Sequence, residues 1–142
     1  MKKVTLLFSF LLCSVLMFAG KPLPNEIGQL PANAQKTIKT HFPKLEIISI
    51  ILEDEAFEAK TYEVKFNTNY IIQFDSKGNW FLIDCIKDPI PPALLPTKVA
   101  QYIQKNFPGD HITQIENLKN GYEIELTSDL AITFDKNGNV KM

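Results

Sequence analysis

Chemistry in a folded chain begins with nucleophiles, metal ligands and titrating pairs, and this chain has few of them. Its histidines are His41 and His111, and its cysteines are Cys13 and Cys85. A metal centre needs three or four ligands at suitable spacing, and neither histidine has a second histidine or a cysteine near it in sequence. Cys85 likewise has no histidine close by to activate its thiol, and no Gly-x-Ser-x-Gly elbow occurs. Carboxylates are plentiful, but Asp75 and Asp135 each open an Asp-x-x-Gly stretch. There the side chain accepts hydrogen bonds from the turn's own backbone N–H groups. Glu53-Asp54-Glu55 is an acidic loop that lacks the longer series of oxygen ligands a calcium loop requires. No catalytic centre, cofactor or metal is expected.

The N-terminal residues point to export. Lys2 and Lys3 precede an apolar run over residues 4–19, and Ala19 and Gly20 supply small residues before a polar chain. That is the layout of a secretory signal peptide, assigned to residues 1–20, with an uncleaved anchor as the competing reading. Leu11 and Leu12 before Cys13 exclude a lipoprotein signal. Beyond the leader, residues 21–142 carry thirteen lysines against sixteen carboxylates, a net charge of −3, and no arginine. Nucleic-acid recognition leans on clustered Lys and Arg, so that class is set aside. Cys85 is the one cysteine left, too few for a disulfide framework, and reads as a small buried hydrophobe. The expected location is the periplasm or cell surface, with no membrane span once the leader is removed.

The elements that position these residues show an internal repeat. Leu30-Pro31, Ala34, Ile38, Phe42-Pro43 and Ile50 recur 65 residues later as Leu95-Pro96, Val99, Ile103, Phe107-Pro108 and Ile115. Tyr62-Glu63-Val64, Phe66, Ile72, Phe74-Asp75 and Gly78-Asn79 recur 60 residues later as Tyr122-Glu123-Ile124, Leu126, Ile132, Phe134-Asp135 and Gly138-Asn139. The four-residue spacing in the first set predicts a helix with one apolar stripe, entered at a proline and stopped before the next. The alternation in the second set predicts strands, joined by glycine-containing turns. The fold class is α+β: two tandem units, each a helix on one face of an antiparallel sheet. The divisions are a leading segment (21–29), a first unit (30–86), a Pro-rich extended linker (87–94) and a second unit (95–142).

This pattern of Leu-Pro, helix, Phe-Pro, strand, Tyr-Glu-Val, strand and Phe-Asp-x-x-Gly-Asn resembles the exported PepSY-like proteins described as β-lactamase-inhibitor-like. The likeness runs from about Leu30 to Met142. It implies tandem antiparallel sheets with helices on one face, and an association with binding or inhibiting extracytoplasmic enzymes.

A regular turn after Asp75 would set Phe74 opposite Trp80 and Ile72 opposite Leu82, on the helix-covered face with Tyr62, Val64 and Phe66. The open face would then present Glu63, Lys65, Ile71, Gln73, Phe81 and Ile83. Ile71, Phe81 and Ile83 are large and apolar where a solvated face should be polar, which marks a contact surface. In the second unit Glu123, Glu125, Ala131 and Thr133 hold the matching places. The expected function is non-catalytic binding through this face, the partner being another exported or cell-envelope protein. Self-association, or cover by the leading segment or linker, would also account for the patch. A carrier with a small-molecule or metal pocket between the units is the alternative.

Overall fold

The computed structural model describes residues 20–142, so the expected leader lies outside the described residues except for Gly20. Helix α1 spans Ala32–His41 and α2 spans Thr97–Asn106, with Pro31 and Pro96 as their N-caps. Each ends at a phenylalanine, Phe42 or Phe107, that precedes a proline and still donates its N–H to the carbonyl four residues back. The four-residue stripe buries Ala34 and Ile38 on α1, and Val99 and Ile103 on α2. Ten-residue helices are marginal alone. Each fully buried large aliphatic side chain contributes roughly 1.5–3 kcal/mol, so packing on the sheet is what holds them.

The strands are β1 (Lys21–Leu23), β2 (Ile47–Glu53), β3 (Thr61–Phe66), β4 (Ile71–Asp75), β5 (Trp80–Asp84), β6 (Ile112–Leu118), β7 (Gly121–Leu126) and β8 (Ala131–Asp135). They form one antiparallel sheet whose spatial order follows the chain. Helix α2 starts 65 residues after α1, β6 starts 65 after β2, and β7 and β8 each start or end 60 after β3 and β4. The core side is a cross-strand row of Ile50, Val64, Ile72, Ile83, Ile115 and Ile124, each at most 1% exposed. The helix stripes join these residues in one hydrophobic cluster.

Three expectations change. First, Phe74 does pair with Trp80, but Gln73 pairs with Leu82 and Ile72 with Ile83. A β-bulge inserts Phe81 between those pairs and reverses the alternation beyond it. Ile83 is therefore core, not open face, and Leu82 takes the outward place. Second, the Pro-rich segment is no extended spacer. Ile90 is buried and donates its N–H to the Ile112 carbonyl at 3.0 Å, and Pro92–Leu94 forms a 3₁₀ turn. Third, the leading segment does not lie over the open face. It adds β1 to the sheet edge beside β2 and then a 3₁₀ turn at Ile27–Gln29.

The turns follow their aspartates. Asp75 Oδ1 accepts from the N–H groups of Lys77 and Asn79, both at 2.9 Å, and Asp135 Oδ1 does the same for Asn137 and Asn139. Gly78 has a φ of +82°, and a Cβ there would stand 2.7 Å from the Ala34 nitrogen. The β4–β5 turn thus packs against the start of α1.

The bulge sets up a test. Ile83→Ala should cost about 2–5 kcal/mol of unfolding free energy, while Leu82→Ala should cost about 1 kcal/mol or less. Urea denaturation of both variants measures this, and the opposite ranking would place the core row on the other parity.

Candidate functional site

Because side chains alternate across a strand, each residue next to the buried row points away from the helices. Two cross-strand rows result. One runs Ile51, Glu63, Gln73, Leu82, Glu116, Glu123, Thr133, and the other runs Ser49, Lys65, Ile71, Asp84, Gln114, Glu125, Ala131. Of the residues expected on this face, Glu63, Lys65, Ile71 and Gln73 lie together in it, and Ile83 does not. Phe81, the extra residue of the bulge, is partly exposed and stands outside the set packed on the core. Ile51 and Leu82 are additions. Alternation from Ile50 is enough to find Ile51, whereas Leu82 depends on a bulge that pairing reveals.

Ile51, Ile71 and Leu82 are partly exposed and likewise outside the packed core set. Between them Gln73 donates to Glu63 Oε2 at 2.9 Å. On the β6–β7 side the face turns acidic. Glu116 and Glu123 are directly paired across the strands. Burial, and then the Glu123 charge, hold the Glu116 carboxyl above its ordinary range. Glu125 is raised by burial and by Asp129 and Asp84, with Lys87 opposing. Like charges directly opposite one another destabilise a sheet.

Three chemically capable residues outside these rows are committed elsewhere. Cys85 is fully buried, and burial foremost, then the neighbouring Asp84 and Asp88, push its thiol up to about 12. It is protonated at neutral pH and poorly placed for nucleophilic chemistry. His111 contacts the Lys87 carbonyl through Nε2 at 2.8 Å. Tyr70 donates to Asp88, and that bond, with burial, pushes its hydroxyl up to about 12. Among the described residues no three His, Cys, Asp or Glu side chains converge as a metal site. On the helix side an open cleft lies between α1, the β4–β5 turn and Asn117. Its amide N–H groups are engaged, Asn33 donating to the Lys77 carbonyl, Asn79 to Asp75 and Asn117 to the Trp80 carbonyl, while Asn117 Oδ1 is buried without a partner among the described residues.

Residues 60–142 match the model of the family described as "Putative beta-lactamase-inhibitor-like, PepSY-like". The chain belongs to the PepSY-like family. Solved structures agree. The crystal structure of a putative calcium-regulated periplasmic protein from Bacteroides thetaiotaomicron is 32% identical with a TM-score of 0.81, covering 87% of this chain and 94% of that one. A putative periplasmic protein of the DUF2874 family from Bacteroides vulgatus is 33% identical with a TM-score of 0.80, covering 87% and 97%. A second putative periplasmic protein from B. vulgatus, of unknown function, is 28% identical with a TM-score of 0.80, covering 86% and 98%. No curated protein matches the chain. The PepSY-like protein thus shares its α+β fold with periplasmic relatives, and no helix among its described residues is long and apolar enough to cross a membrane.

Two outcomes follow from the perturbed groups. A carboxyl raised in the fold binds a proton more readily there than in the unfolded chain, so its contribution to stability falls as pH rises through its folded value. Glu116→Gln should therefore raise the melting temperature at pH 7, by no more than about 1 kcal/mol in free energy, and shrink toward no gain as the wild type is acidified. No gain at pH 7 would mean that the Glu116–Glu123 repulsion is negligible. Cys85 obeys the same sign at the alkaline end: its contribution is complete below about 8.5, the usual thiol value, and is lost toward pH 12. Native protein should resist thiol reagents at pH 8 and react once unfolded, and fast labelling of the native state would contradict the burial.

Proposed function

We propose that this PepSY-like protein is an exported, non-catalytic binding module that lays its open sheet face on another protein of the cell envelope. In this reading the chain comprises two tandem units, a view supported by the matched 65- and 60-residue spacings of its helices and strands. The observation that carries the function is the apolar group Ile51, Ile71 and Leu82 on the face opposite the helices. A solvated antiparallel face normally presents polar residues, and large apolar ones framed by charge are typical of contact surfaces. Periplasmic relatives support the compartment. The family's β-lactamase-inhibitor-like description supports inhibition of an extracytoplasmic enzyme as one form such binding would take.

The test uses the protein from Lys21 onward as bait on source cell envelopes, beside an Ile71→Ser/Leu82→Ser variant whose fold is verified by its melting curve. Serine avoids adding charge to an acidic face. The identified partner, purified and titrated calorimetrically, should bind the variant at least about tenfold more weakly, the loss typical of removing central apolar anchors. Equal affinity for both proteins would sink the face assignment.

A further inference from the structure

The charges of this protein are segregated between its two layers. Neither helix contains an aspartate or glutamate, while Lys36 and Lys39 on α1 and Lys98 and Lys105 on α2 are all exposed. The two rows of the open face have the opposite sign. They hold five carboxylates, Glu63, Asp84, Glu116, Glu123 and Glu125, against the single Lys65. Residues 21–142 as a whole sum to only −3, so this face accounts for the acidic balance of that stretch. The ion pairs among the described residues, Lys60–Asp54 and Lys87–Asp129, include none of the five, and Lys87 offsets the surroundings of Glu125 only in part. Folding gains nothing from setting Glu116 against Glu123 on a partly buried surface.

We propose that the open face docks a cationic, apolar-anchored polypeptide, one in which lysine or arginine flanks large apolar side chains. Ile71 and Leu82 would sit beneath the apolar groups, and Asp84, Glu116, Glu123 and Glu125 around the basic ones. The proposal rests on the binding-module reading and adds the chemistry of the partner. Complementary potential of this kind chiefly sets specificity and association rate. The lysine-bearing helices repel the same partner, so the field across the two layers turns the sheet toward it. A second copy laid face to face would oppose acid to acid. Only the helical layer of another copy offers the complementary charge, in a heterologous head-to-tail contact rather than a two-fold one.

The probe is a strand-length synthetic peptide alternating lysine and leucine, titrated by NMR into isotope-labelled protein from Lys21 onward. Peptides with glutamate in place of lysine, and with serine in place of leucine, are the controls. The lysine–leucine peptide should shift amides of β4 to β7 and leave α1 and α2 unmoved. Its affinity should fall about fivefold or more in Glu116→Gln/Glu123→Gln and fall again toward about 0.5 M salt. Equal binding of the glutamate peptide, shifts confined to the helices, or unchanged affinity in the double variant would each overturn the proposal. So would calcium alone shifting the same amides, which would assign the carboxylates to a metal. Concentration-dependent line broadening abolished by the two glutamines would assign the face to another copy's lysines, again against the proposal. If the envelope partner survives the glutamine pair but is lost with Ile71→Ser/Leu82→Ser, the cationic assignment falls and the binding face stands.

Discussion

The pairing of β5 with β6 is the constraint on which the rest of the structure depends. Ile83 meets Ile115 there, and that contact extends the buried row from Ile50 on β2 to Ile124 on β7 without a break. Were this ladder absent, β5 and β6 would be two exposed edges above two small cores, a poor arrangement for solubility and for stability. The bulge at Phe81 makes the pairing possible in its observed form. By adding one residue it turns Ile83 inward and Leu82 outward, so a local backbone irregularity decides both the core and the open face.

The segment between β5 and α2 fastens that junction. Cys85 donates its N–H to the Thr113 carbonyl and Ile90 to the Ile112 carbonyl, so β6 is held beyond the end of β5. Tyr70 reaches Asp88 from one side and Lys87 reaches Asp129 from the other. The outer edges are treated differently from the middle. Pro22 lies within β1, where a missing N–H suits an edge strand, and the chain after β8 folds back to pair Val140 with Phe134. Both helices occupy one side, which leaves the other side of an eight-stranded sheet as the broad uncovered surface of the described residues.

That surface links the packing to the proposed role. The alternation that sends isoleucines inward also sends Glu63, Glu116, Glu123 and Glu125 outward, and partial burial makes the charges of Glu116 and Glu125 costly. Ile51, Ile71 and Leu82 supply apolar area within the same rows. Cys85 lies in the core, Asp75 and Asp135 hold turns, and Tyr70 and His111 bond to the connecting segment. A broad face with apolar anchors and directed charge is suited to recognition.

Much of the local structure was legible from the residues themselves. Four-residue spacing and flanking prolines determined the helices nearly to their ends, alternation determined the strands, and Asp-x-x-Gly determined the turns. These signals are short-range, set by steric limits on the backbone and by bonds between near neighbours. Glu63, Lys65, Ile71 and Gln73 could be placed on one face for the same reason, since β3 and β4 pair without a register shift. What the chain alone left undecided was the register across β4 and β5, the joining of β5 to β6, and the destination of Ile90. Each depends on how residues distant in sequence pack together. An extra residue in a strand changes the facing of every side chain beyond it, and only the partner strand reveals that it is extra. Tertiary structure therefore exchanged Leu82 for Ile83 on the open face, and brought Glu116 from β6 beside it.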